Sequence, residues 1–268
     1  MDIFCGIEDY CARLEIMASD WSFGRRFLSA VCRFMTMFLL FSACGIEEYV
    51  YLPPVPESSV VQLSPMSGAR VTLPQNSSLY FSNFTIFYRI YISATSYQSL
   101  SYNEYAGLNA ALASDYSAFL PYTNTANTTV NANVVGTLFR NRNYRSLEIE
   151  GGGIGGILGD GGQTVTLDFQ YVLGRAPTLN AGNEYALFRS DGEGAFQPVP
   201  DRYFLNTVDL NSTENATTLI NADVAPASGS PSDRYAYVAM YIAATGTDNN
   251  FSSIYSAPTF LGVFRLPD

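Results

Sequence analysis

Two stretches of this chain alternate with a period of two over nine residues each, and no other feature restricts the fold as much. In the first, Phe84, Ile86, Tyr88, Ile90 and Ile92 fall on one side, and Thr85, Phe87, Arg89 and Tyr91 on the other. In the second, Ala236, Val238, Met240 and Ile242 oppose Tyr235, Tyr237, Ala239 and Tyr241. Successive side chains of an extended backbone point to opposite faces, so this spacing builds strands with one apolar face. Runs at 69–73, 133–139, 144–150, 164–172, 184–189 and 259–266 read the same way between turn-rich breaks. The expected fold is all-β, mainly antiparallel, a β-sandwich spanning 58–268. One segment departs from it. Tyr105, Leu108, Leu112 and Phe119 recur at helical spacing behind a capping-box sequence, Ser101-Tyr102-Asn103-Glu104, and Pro121 follows. That predicts a single helix over about 102–119, ended by Pro121. Segments 123–133 and 206–233 are rich in Asn, Thr, Ser and Asp and read as long surface loops.

Composition narrows the chemistry. Of 268 residues 14 are basic, all of them arginine, and 24 are acidic, for a net charge of −10. Histidine and lysine are absent. Without histidine there is no Ser-His-Asp triad, Cys-His pair or imidazole metal site. Without lysine there is no Walker-type phosphate loop and no Schiff base. Scattered arginines on an acidic chain give no positive footprint for nucleic acid. No cofactor and no metal are expected.

The first 43 residues read as a leader. Arg25 and Arg26 precede the apolar run Phe34-Met35-Thr36-Met37-Phe38-Leu39-Leu40-Phe41, which ends in Ser42-Ala43-Cys44. A basic segment, an apolar stretch of about 7–15 residues and small residues before the cut make a secretory signal peptide. The run falls short of the roughly 20 apolar residues that span a bilayer. Residues 1–16 carry more acid than base, against the usual positive start, which places the start of translation at Met17.

Leu40-Phe41-Ser42-Ala43-Cys44 resembles the lipobox of bacterial lipoproteins, in the relaxed form similar to that of spirochaetes. Phe41 stands where the family usually has Leu, Val or Ile. The resemblance implies cleavage before Cys44, acylation of its thiol and new amino terminus, and attachment to the exported side of a cell membrane. Gly45, where an inner-membrane retention signal would place Asp, favours the outer membrane. Residues 44–57, acidic and broken by Pro53, Pro54 and Pro56, read as a stiff tether. Cys5, Cys11 and Cys32 lie in the leader, so Cys44 would have no thiol to pair with. The alternative is an ordinary secreted protein with a chance cysteine at the cut.

Within the mature part, Tyr88-Arg89-Ile90-Tyr91 resembles the third strand of fibronectin type III modules. The segment from Tyr237 through Gly246, with Ser252-Ser253-Ile254-Tyr255-Ser256-Ala257-Pro258, resembles the sixth strand and the turn into the last. The resemblance implies a fibronectin/Ig-like sandwich enlarged by insertions, the helix among them; two smaller sandwiches are the alternative. The third and sixth strands would be neighbours, gathering Phe87, Arg89, Tyr91, Tyr235, Tyr237 and Tyr241 into a platform for sugars or for a protein partner, unless the helix or an insertion covers it.

Other candidates carry a plainer reading beside the chemical one. Glu148 and Glu150 share a strand face about 7 Å apart, as in an inverting glycosidase pair or on a wet strand face. Gly151-Gly152-Gly153-Ile154-Gly155-Gly156 matches GxGxxG but is followed by a strand-like run, so it reads as a hairpin loop exposing Ile154, Ile157 and Leu158. Asp209-Leu210-Asn211-Ser212-Thr213-Glu214 begins like a calcium loop without its sixth-position glycine. The sequons at Asn76, Asn83 and Asn127 read as chance. The expected function is that of a lipid-anchored, non-enzymatic binding or structural module; the alternative is a carboxylate hydrolase of envelope glycans.

Overall fold

The computed structural model describes residues 51–123, 132–149, 152–159, 161–169, 176–189, 223–225 and 235–266. The strands run β1 Val60–Leu63, β2 Gly68–Thr72, β3 Phe81–Ser93, β4 Arg145–Ser146, β5 Glu148–Ile149, β6 Gly152–Gly153 and β7 Thr164–Asp168. They continue as β8 Thr178–Asn180, β9 Glu184–Phe188, β10 Val224–Ala225, β11 Tyr235–Thr247, β12 Ser253–Tyr255 and β13 Thr259–Arg265. The helices are α1 Tyr105–Leu108, α2 Ala110–Thr123, α3 Ala132–Asn141 and α4 Gly155–Leu158.

The two alternating runs become the two longest strands, β3 and β11, and lie side by side. They pair antiparallel from Ser93 opposite Tyr235 to Phe81 opposite Gly246. Beyond β11, β13 pairs along its first half and β12 along its end. Beyond β3 lie β4 and the short β10, which pairs in parallel. The second sheet has the order β1-β2-β7-β8-β9-β5-β6 and is antiparallel throughout.

The sheets close over one core, which makes this a single sandwich rather than two. Ile86, Ile90, Val238 and Ile242 from the β3–β11 sheet meet Val71, Val165, Leu167 and Leu187 from the other. Each such side chain, fully buried, contributes about 1.5–3 kcal/mol. The second sheet turns Arg70, Thr72 and Thr164 outward. The β3–β11 sheet has no such wet side. Tyr105, Leu108 and Leu112 pack on Tyr91, Tyr237 and Val263. Farther along, Phe119, Val135 and Phe139 pack on Phe87, Tyr144 and Tyr241. The domain is therefore three layers deep there, sheet on sheet on helices, and β11 is buried continuously from Ala236 to Ala244.

Three local expectations about the helices are corrected. The single helix over 102–119 is a 3-10 turn at Tyr102–Glu104, then α1, then α2. Asn109 makes the break: its backbone is extended, its Oδ1 accepts the Ala111 N–H at 2.8 Å, and its Nδ2 donates to the Ile92 carbonyl at 2.9 Å. One side chain thus caps α2 and fixes it to β3. Pro121 lies inside α2, in its final turn, and does not end it. Residues 133–139, expected as a strand, belong to α3, where Val135 and Phe139 share a buried face one turn apart. Gly136 lets α3 lie on Tyr255, since a Cβ there would fall 2.6 Å from that ring.

The glycine tract and the tether also differ. Ile154 and Leu158 are buried and Ile157 is half-buried, because α4 packs against the sandwich core. Leu52 and Val55 are buried in that same core, and the Thr259 hydroxyl donates to the Val55 carbonyl. The proline-broken stretch from 52 onward is therefore docked, not free.

Candidate functional site

The six residues expected to form a platform come together. Tyr91 stands opposite Tyr237 across the β3–β11 ladder, Phe87 opposite Tyr241, Arg89 opposite Ala239 and Tyr235 opposite Ser93. The platform is nevertheless closed. Tyr91, Tyr237, Tyr241 and Phe87 are buried, and Arg89 and Tyr235 are half-buried. Phe87 is already stacked on Phe139 at 4.0 Å between centroids and 14° between planes. Tyr241 is held between Phe119 and Phe260, at 4.5 and 4.9 Å. The ring contacts a ligand would make are made by the chain's own aromatics, so this face is not a binding surface.

Burying tyrosines and an arginine requires partners for their polar ends. The Tyr237 hydroxyl accepts the Tyr97 N–H at 2.6 Å and donates to the Thr95 carbonyl at 3.2 Å. Arg89 reaches Asp115 of α2, whose other oxygen accepts from Arg142 at 2.8 Å. Tyr91 also donates to Asp115 at 2.7 Å, and its oxygen lies 2.8 Å from that of Tyr144. Burial, and then the Asp115 carboxylate, push the Tyr91 phenol well above its ordinary value. Burial does the same for Tyr144, with Tyr91 next in weight. One carboxylate thus gathers two guanidiniums and a phenol on the helix side of the sheet.

A second buried pair lies across the domain. Arg189 holds Asp223 through both oxygens, its Nε at 2.9 Å. The Asp223 carbonyl accepts the Ile90 N–H at 2.9 Å, which secures β10 to β3. Tyr88 stands beside this pair, its phenol raised by burial and then by Asp223. Both clusters join distant segments by paired charge; neither presents a carboxylate to a cleft.

The remaining candidates separate. Glu148 is half-buried on β5, while Glu150 lies outside the described residues, as do Cys44, the leader, the calcium-like stretch 209–214, Asn127 and nearly all of 123–133 and 206–233. The Asn83 Oδ1 accepts from the Thr85 and Thr245 hydroxyls at 3.1 and 2.7 Å, and the Asn76 Oδ1 accepts the Ser78 N–H at 3.0 Å. Among the described residues no group of three or more His, Cys, Asp or Glu is placed to hold a metal, and no helix is long and apolar enough to cross a membrane.

One cleft escaped the sequence reading. It lies between the β1–β2 turn and the loop before α1, bounded by Ser64, Pro65, Met66, Gln98, Leu100 and Tyr105, with a volume of about 170 Å³. Sites for small organic ligands usually occupy about 300–1,000 Å³. This one is smaller and lined without a charged group. Its nearest sequence signal is the turn Pro65-Met66-Ser67-Gly68, where Met66 takes a positive φ of 52°. No protein-family model matches the chain, and no curated protein or solved structure is similar to it.

Proposed function

We propose that this chain is a lipoprotein of a bacterial cell envelope, acylated at Cys44, which holds a β-sandwich domain at the membrane as a binding or structural module. The observation that carries this reading is Leu40-Phe41-Ser42-Ala43-Cys44, set eight residues ahead of Leu52, the first side chain of the described residues that enters the core. Eight residues fully extended reach about 26–29 Å, so an anchor at Cys44 keeps the domain close to the bilayer. The fold supports a non-enzymatic role, because its buried charges are spent on joining helices and strands (Arg89 and Arg142 with Asp115, Arg189 with Asp223).

The anchor is tested by expressing the full chain and its Cys44→Ser variant in a diderm bacterium with a labelled fatty acid. The native chain is expected to carry label and to fractionate with membranes, and the variant to lose both. A variant that remains with membranes, or a native chain without label, would refute the anchor.

A further inference from the structure

One end of the domain carries two large apolar side chains with almost nothing packed on them: Leu79 is 98% exposed and Phe251 is 91% exposed. They stand on neighbouring loops that are fastened together. The Thr247 N–H donates to the Tyr80 carbonyl at 3.0 Å, and the Asn249 Nδ2 donates to the Tyr80 hydroxyl at 3.2 Å. The approach is so close that a Cβ at Gly246 would lie 1.8 Å from the Tyr80 oxygen. Leu79 and Phe251 are thus two parts of one tip.

The tip is built to present Phe251. This residue has a φ of +61°, a region that a bulky side chain rarely adopts. Asp248 holds it there: its Oδ1 accepts the N–H of Asn250 and of Ser252, both at 2.8 Å, and its carbonyl accepts the Phe251 N–H at 3.0 Å. Asp248 is the sole charged residue in 74–80 and 247–253, and it is turned onto its own loop. The others are Pro, Gln, Asn, Ser, Thr and Tyr. Leucine and an aromatic ring on an uncharged polar rim suit the lipid–water interface.

The course of the chain selects the same surface. The Gln62 side chain lies against Gly262, and the Val55 carbonyl against Thr259. Gly262 pairs with Met240 and Thr259 with Ile242, so passing from Gly262 to Thr259 moves along β11 toward Thr247 and the tip. Followed backward from Gln62 to Val55, the chain therefore runs toward the end that bears Leu79 and Phe251.

Resting on the anchor at Cys44, we infer that this tip dips into the lipid–water interface of the membrane that holds the lipid, seating the domain end-on against the bilayer. From Cys44 onward the chain has 10 arginines against 19 acidic residues, a net charge of −9 that anionic lipid repels, so the surface it fits is a zwitterionic one.

The test uses the full chain, acylated at Cys44 and reconstituted in phosphatidylcholine vesicles. The one tryptophan of the sequence, Trp21, leaves with the leader and is replaced as Trp21→Phe so that unprocessed precursor stays dark, and a single emitter is introduced by Phe251→Trp or, separately, by Leu79→Trp. Side chains at the interface sit about 5–10 Å into the headgroup–acyl boundary, so acyl-brominated lipid is expected to quench either emitter at least about twofold, with a blue shift. Val61→Trp, on the exposed edge strand β1, is expected to stay unquenched. Unquenched emission from both tip variants in protein that still floats with vesicles would overturn the tip contact and leave the anchor standing; so would equal quenching of Val61→Trp. Where intact mass shows an unmodified Cys44, the anchor fails, and vesicles are titrated onto the same variants. Saturable quenching then supports the tip contact alone, and its absence removes both.

Discussion

The two faces of the β3–β11 pair are built from the same strands and hold together in different ways. On the inner face, Ile86, Ile90, Val238 and Ile242 meet another sheet and have no polar atoms to satisfy. On the outer face, Phe87, Arg89, Tyr91, Tyr237 and Tyr241 are covered by helices, and Arg89, Tyr91 and Tyr237 bring polar ends that find partners there, all but the Arg89 Nε. The inner face is therefore sensitive to volume. The outer face is sensitive to hydrogen bonding and charge, because an unpaired buried group costs more than the bond itself returns. A tyrosine-rich strand face can thus be interior, provided another element supplies acceptors.

Substitutions that keep shape or remove volume break this contrast most directly. Asp115→Ala leaves two guanidiniums and the Tyr91 hydroxyl without their shared acceptor, and it is expected to destabilise by about 3–5 kcal/mol in denaturant unfolding. A loss below about 1 kcal/mol would show that the outer face does not depend on its charge. On the inner face, Ile90→Ala is expected to lose about 2–4 kcal/mol, while Ile90→Val loses only about 1 kcal/mol. A milder Ile90→Ala than Ile90→Val would contradict a volume-limited core.

The last effect, absent at neutral pH, is a pH dependence. Tyr88, Tyr91, Tyr144 and Tyr241 all have phenols raised well above 10.0, each first by burial. The folded form keeps four protons that the unfolded chain releases above about pH 10. Stability is thus whole below that pH and falls as pH rises toward the folded values. Phenolate absorbance from these four is expected to appear together with the loss of near-ultraviolet circular dichroism. Early, independent ionisation of Tyr91, Tyr144 and Tyr241 would mean that the outer face is open.

The inner face was legible in the sequence because aliphatic residues at a period of two have few other uses. The adjacency of β3 and β11 was legible too, through the resemblance of both runs to neighbouring strands. Cover of the outer face by the helix or an insertion was the plainer reading of the sequence, but where that cover docks was not legible. Tyrosine and arginine opposite an apolar side look like an amphipathic strand, and nothing local says where a helix will dock. Val134-Val135 disguised α3, since β-branched residues favour strands, although Val135, Leu138 and Phe139 also lie at helical spacing. The plainest missed signal was Asp115. It falls between Leu112 and Phe119 on the apolar stripe of α2, where an acid implies a buried cation such as Arg89. Asn109 gave a similar hint, as a capping residue in mid-pattern.

With both sides of the β3–β11 sheet committed to packing, the parts of this domain left to meet other molecules are its ends and loops, the outer side of its helices and the outward side of the second sheet. That gives the anchor and the tip their weight. The measurement closest to this account is the intact mass of the mature chain extracted from membranes. The account predicts a polypeptide that begins at Cys44 and carries a diacylglyceryl group with or without a further acyl chain. A mature chain that begins elsewhere, or that carries Cys44 as a free thiol, would contradict it.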